Sequence, residues 1–485
     1  MTTSAKSRTA VTGVLAAGAA ASALFAGAAL GSAPTANASC ASFFGLGNSA
    51  SCSSTPLSFA IALGNGATAH ASGLLGVAFA VGTNSAASAG DAFTLATALG
   101  NGSTATANGL FGIAAQLGPN GSAITQGSGL IANPGLNIAL NVSALGAPTN
   151  SSTVIAGGPG AAGNIALNLF GRGTANNPDS MKVTSHGLLN IATNWGGHDN
   201  VIEAGDAATS SLLNLTTNLF GSNTSVTAEG GIFNWATNVL GQNNTVATNG
   251  SLVNTASNIL GSNNTVTTVG GYANWARNIL GNGNTVTITG GYGNAVRNLF
   301  GGGNTVTVSG GGYGSTAQNW FGTGNAVTVT AGIYNTATNL LGGNNNTLSS
   351  TGGYQNAVYN FVGSNNTLTV GGAGSNYNLA LNTLSSNNAV TAGGAGGNFT
   401  AGFNLLGGTN TVNAGPGPGA LAGTIFTNGQ TVTKVGPGIA INNFRIGGAQ
   451  ATGGSSSKAP SSKAGDNSKK SAKKSGTAGS KRGNN

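Results

Sequence analysis

Five glycines, Gly221, Gly241, Gly261, Gly281 and Gly301, fall 20 residues apart, and each closes the same phrase. Its clearest copy opens at Gly270-Gly271-Tyr272-Ala273-Asn274-Trp275-Ala276-Arg277-Asn278-Ile279-Leu280-Gly281 and continues to Asn284-Thr285-Val286-Thr287. A fixed period of this size marks a repeat architecture, because so short a unit cannot bury an apolar face alone and must stack on its neighbours. Within a unit the alternation has period 2: Val286 and Ile288 alternate with Thr285, Thr287 and Thr289, as strands require. The density of Asn, Gly, Thr and Val speaks against helices.

The repeats start early. Gly64, Gly82, Gly100 and Gly118 follow apolar runs at 18-residue spacing, and irregular turns surround Gly146, Gly171 and Gly196. The 20-residue beat then sets in and loosens at Gly322, Gly342, Gly363 and Gly407. These repeats predict an all-β parallel β-solenoid over residues 58–448, with about 17 coils of 18–22 residues, its glycines marking corners of positive φ. The position held by Ala236, Ala256, Ala276 and Val296 should point inward. So should its flanking rows, Asn214, Asn234, Asn254, Asn274, Asn294 and Asn218, Asn238, Asn258, Asn278, Asn298, as amide ladders from coil to coil. Tyr272, Tyr292, Tyr313 and Tyr354 share a slot with Ile232 and Leu252 and read as a buried or half-buried stack.

Composition agrees. Only 5% of the 485 residues are charged, and 85 are Gly without the Gly-X-Y period of collagen. Residues 1–38 read as a secretory signal peptide: Lys6 and Arg8, an apolar stretch from Ala10 to Leu30, then the small-residue site Ala36-Asn37-Ala38. A segment at 39–57 holds the only two cysteines, Cys40 and Cys52, which in an exported chain predict a disulfide. Residues 449–485 carry Lys458, Lys463, Lys469, Lys470, Lys473, Lys474, Lys481 and Arg482 against Asp466, so eight basic groups less one acidic give +7. With no Val, Ile, Leu or aromatic residue, this stretch reads as a disordered basic tail that binds polyanions by counterion release.

Candidate chemistry is sparse. Asp179, Asp199, Glu203, Asp206 and Glu229, with His186 and His198, crowd into about three coils. Their placement resembles that of β-helical polysaccharide lyases and hydrolases, which makes Asp199, Glu203 and Asp206 weak catalytic candidates; solvated side chains on irregular loops explain them as well. No metal site or cofactor is predicted, since the corners of the regular coils lack the Asp residues of calcium-binding rolls. Thr265 and Thr267, Thr285 and Thr287, and Thr305 and Thr307 form an outward file that resembles an ice-binding face. Trp235 and Trp275, with Arg277 and Arg297, offer aromatic and cationic contacts to carbohydrate.

Phrases such as Asn278-Ile279-Leu280-Gly281-Asn282-Gly283-Asn284, together with the Ala-rich leader, resemble secreted actinobacterial, especially mycobacterial, glycine- and asparagine-rich repeat proteins. The repeats are similar to those of the PE and PPE families, although no PE or PPE domain precedes them. That resemblance implies a secreted or cell-surface role. The expectation is therefore a non-enzymatic, adhesin-like structural protein whose tail binds anionic envelope polymers, glycosaminoglycans or DNA. The alternatives are a β-helical polysaccharide-active enzyme and an ice- or carbohydrate-binding solenoid.

Overall fold

The computed structural model describes residues 39–127, 135–143, 151–174, 180–206 and 211–447. The expected leader, the basic tail and Asp179 lie outside these residues. Within them every regular element is a strand, and the strands wind into a parallel β-solenoid of about 18 turns.

Each turn gives one strand to each of two sheets. Trp275–Ile279 belongs to the first sheet and Thr285–Thr289 to the second. Each strand pairs in parallel with its counterpart one turn on, Ala276 beside Val296 and Val286 beside Val306. Alternation sorts the side chains. Ala276 and Asn278 of the first sheet and Val286 and Ile288 of the second are fully buried, whereas Trp275 and the threonines face outward. The core is therefore thin. In the earliest turns it is alanine from both sheets, Ala60 and Ala62 from one and Ala69 and Ala71 from the other.

Corners depart from the expectation in two ways. Leu280 shares the parity of Asn278 in the sequence, yet it adopts φ 54 and turns outward, 40% exposed. Phe220, Leu240 and Leu260 do the same in the turns before it. Gly281, by contrast, lies outside the left-handed region, although Gly241, Gly261 and Gly301 at the same corner keep the expected positive φ of 147, 158 and 109. At Gly281 a Cβ would run into the carbonyl oxygen of Gly301 and the side-chain amide of Asn284. Close approach of successive turns therefore demands glycine at this corner even where the backbone does not.

Both ends of the first sheet carry an antiparallel strand. Ser39–Phe43 lies against Phe59–Leu63, and Phe444–Ile446 lies against Gly438–Ile441. The predicted disulfide is present: Cys40 of the N-terminal strand bonds to Cys52 of the second sheet's first strand, Cα to Cα 5.6 Å.

Candidate functional site

Three files of buried asparagine hold the turns in register and fix what each outer face presents. In the central file each Nδ2 donates to the Oδ1 one turn earlier: Asn258 to Asn238, Asn278 to Asn258 and Asn298 to Asn278, each at 2.8 Å. The chain of amides is unbroken from Asn141 to Asn404. A file ahead of the first sheet works differently. The backbone N–H of Asn274 donates to Asn254 Oδ1 at 3.1 Å, while Asn274 Nδ2 donates to the carbonyls of Gly270, Gly290 and Gly291. The third file precedes the second sheet and was not anticipated from the sequence. There the N–H of Asn284 donates to Asn264 Oδ1 at 2.9 Å, and Asn264 Nδ2 reaches the Gly281 carbonyl at 2.7 Å. Its signal was available, since Asn244, Asn264, Asn284 and Asn304 keep the 20-residue period.

On that frame the first sheet displays Trp235 and Trp275 outward, 50% and 37% exposed, in one column with Thr255 between them. Arg277 and Arg297 pair side by side in the next column. The Arg297 guanidinium lies 4.9 Å from the Trp275 ring centroid and that of Arg277 lies 5.8 Å from it. Trp275, Arg277 and Arg297 thus form one cluster, cationic and aromatic together, and Trp235 stands two turns away. The tyrosines do stack, Tyr272 on Tyr292 at 4.7 Å and Tyr292 on Tyr313 at 4.9 Å. They are not buried: Tyr292 remains 45% exposed, because its slot lies at a corner and not between the sheets.

The second sheet's outer face is hydroxylic. Thr265, Thr285 and Thr305 align in one column and Thr267, Thr287, Thr307 and Thr328 in the next. Thr267 Oγ1 donates to Thr287 Oγ1 at 3.2 Å.

The acidic candidates divide. Asp199 sits at the corner before the Val201–Ala204 strand and is occupied locally, accepting from Ser180 Oγ and from the Thr174 N–H at 2.9 Å, and pairing with His198 Nδ1 at 3.0 Å. Burial pushes its carboxyl up, but the bonds from Ser180, His198 and Thr174 together hold it below the usual value. Glu203 faces outward from the middle of that strand, and Asp206 lies just past its other end. Glu229, two residues beyond the neighbour of Glu203 on the next turn, has its carboxyl raised by burial and by the charges of Glu203 and Asp206. The structure therefore brings together Glu203, Asp206 and Glu229 and leaves Asp199 apart. A carboxyl with raised affinity for its proton beside two others is an arrangement that can donate a proton. Asp206 also borders a cleft of about 450 Å³ with His186, Gly158 and Leu188.

Searches found no family model, no curated protein and no solved structure that matches the chain.

Proposed function

We propose that this chain is an exported, non-enzymatic structural rod of the cell surface, adhesin-like in use, which its basic tail ties to anionic polymers. The observation that supports this reading best is the amide chain from Asn141 to Asn404, which couples every turn it crosses to the next. A buried, fully paired polar network of that length favours stiffness and one fixed register over plasticity. Such a body suits holding surfaces at a distance. The tail lysines, Lys458 to Lys481 with Arg482, supply sequence-independent attraction to envelope polymers, glycosaminoglycans or DNA. Trp275, Arg277 and Arg297 add a local site for an acidic sugar, the ring for stacking and the guanidiniums for its charge. The test is fractionation of cells expressing the chain with and without residues 449–485. Envelope retention that depends on the tail supports the reading, and equal release of both forms rejects the anchoring role.

The threonine columns favour a second reading. Their spacing is that of the β-ladder, repeated in register over successive turns, a regular array of hydroxyls suited to ordering water or lying on a crystalline polysaccharide. Thermal hysteresis of the purified protein, and its loss in Thr287→Lys, would establish that reading in place of the first.

A further inference from the structure

The large side chains of the first sheet's early strands point away from the core. In the eight strands from Phe59–Leu63 to Leu215–Ser222 the inward positions hold small residues such as Ala60, Ala78 and Ala96 or buried amides such as Gln116 and Asn141, while the outward ones include Phe59, Ile61, Leu63, Leu95, Ile138 and Leu167. None of the outward residues paired along this ladder is charged. Exposed corner residues extend the apolar surface on one side, Leu75 at 46%, Phe93 at 42% and Phe111 at 47%. With a strand spacing of ~4.8 Å, the patch measures about 40 Å by 20 Å, roughly the 800 Å² that each partner contributes to a standard protein interface.

The patch is also bounded along its centre. Past the Leu215–Ser222 strand the central outward column runs through Thr237 and Ser257 to Arg277 and Arg297, while the column of Leu219 stays aliphatic through Val239, Ile259 and Ile279. A membrane-seated face gains from a row of basic residues along its margin that reach the headgroups; the outward positions of these eight strands hold none, and Arg172 stands alone as a lysine or arginine at the corners that follow them. What the patch does have is internal complementarity. Its central column reads Ile61, Phe79, Thr97, Ala115, Leu140, Leu167, Thr193, Thr217, in the order of the turns. Folded back on itself about its midpoint, this series matches every large residue with a small one: Ile61 with Thr217, Phe79 with Thr193, Leu167 with Thr97, and Leu140 with Ala115.

We propose that this face binds a second copy of the same chain, sheet against sheet, with the two solenoids antiparallel. The two-fold axis lies in the interface, parallel to the strands and midway between Ile113–Leu117 and Ile138–Val142. Such an axis preserves the columns while reversing the order of the turns, so each knob of the central column faces a hollow, as packed sheets require. A parallel dimer would set Phe79 against Phe79 and Thr97 against Thr97, which packs neither.

Sedimentation velocity of the full chain at micromolar concentration should give a dimer. Leu140→Arg should give monomer, and Thr153→Arg, on the outer face of the second sheet, should leave the dimer intact. Residues 1–38 and the tail are common to all three proteins, so neither accounts for a difference. Orientation, and any failure of Leu140→Arg to fold, are covered by cross-linking, because the two native cysteines are paired and an introduced thiol is the only free one. A short bismaleimide should join Phe79→Cys chains to Thr193→Cys chains when the two are mixed, and should not join Thr193→Cys chains to each other. A wild-type monomer overturns the proposal, as do equal dimers in both arginine variants. A monomer that floats with phosphatidylcholine vesicles overturns it in favour of a lipid partner.

Discussion

Asn278 donates its side-chain amide to Asn258 and accepts that of Asn298, both at 2.8 Å, so one residue closes two turn-to-turn bonds inside a core that excludes water. Asn278→Leu leaves the Asn298 amide without that acceptor and removes one of the two donors at Asn258 Oδ1, the other being Asn264 Nδ2 at 3.2 Å. The expected loss is about 1–3 kcal/mol, as for other stranded buried polar groups. Thermal or urea unfolding followed by β-sheet circular dichroism measures it, and an unchanged midpoint would place the file outside the cooperative core.

Gly281→Ala tests the corner. Its Cβ would meet the backbone carbonyl of Gly301, so two turns must separate locally, at a cost of about 1–3 kcal/mol. Gly293→Ala is the matched control. There φ is positive but the space beside the Cβ is open, so strain without collision is the only penalty. A larger drop in melting temperature for Gly281→Ala than for Gly293→Ala separates crowding from backbone preference.

The two shifted carboxyls should give opposite pH signatures. Glu229 binds its proton more tightly in the folded chain than an ordinary glutamate does, so its ionisation costs stability as pH rises from the ordinary carboxylate value through the raised one. Glu229→Gln should therefore melt higher than wild type at neutral pH and equally in acid. Asp199 is held low, so its contribution is present above the ordinary value and lost as pH falls through the lowered one. Asp199→Asn should melt lower at neutral pH, with the gap closing in acid. Melting curves across pH read both effects.

Binding by the tail should be steeply salt-dependent. The full chain should bind heparin, DNA or anionic vesicles with an affinity that falls as ionic strength rises, and a chain ending at Gly448 should bind far more weakly. Residual binding that salt barely changes, and that Trp275→Ala abolishes, would assign the remainder to the cluster of Trp275, Arg277 and Arg297.

The period and the strand parity were legible in the sequence because both sheets alternate strictly, and Ala276, Asn278, Val286 and Ile288 all lie inward as that alternation requires. Two features were not. The file through Asn264 and Asn284 keeps the inward parity of Asn278 and Val286, but it lies in the corner ahead of the second sheet, and its partners belong to neighbouring turns that only stacking brings within reach. The outward aliphatic face is hidden in the sequence because Ile and Leu in a repeat ordinarily mean core. Here alanine and asparagine fill the inner side of the first sheet, while the larger buried residues, such as Ile202, Ile288 and Leu348, come from the second sheet. Of the candidate acids, sequence proximity grouped Asp199 with Glu203 and Asp206, whereas the fold puts Asp199 at the far end of a strand and brings in Glu229 from the next turn.

The antiparallel strands Ser39–Phe43 and Phe444–Ile446 have a consequence for growth. A stack of parallel turns exposes unpaired backbone at each end, and identical ends would template one another into a filament. At both ends of the first sheet the chain instead doubles back, so the last parallel strand is covered by one that runs against it, with Cys40 and Cys52 fastening the N-terminal closure. A second copy cannot continue the first sheet in parallel register there, so within that sheet the number of turns is fixed by one polypeptide and not by how many copies meet.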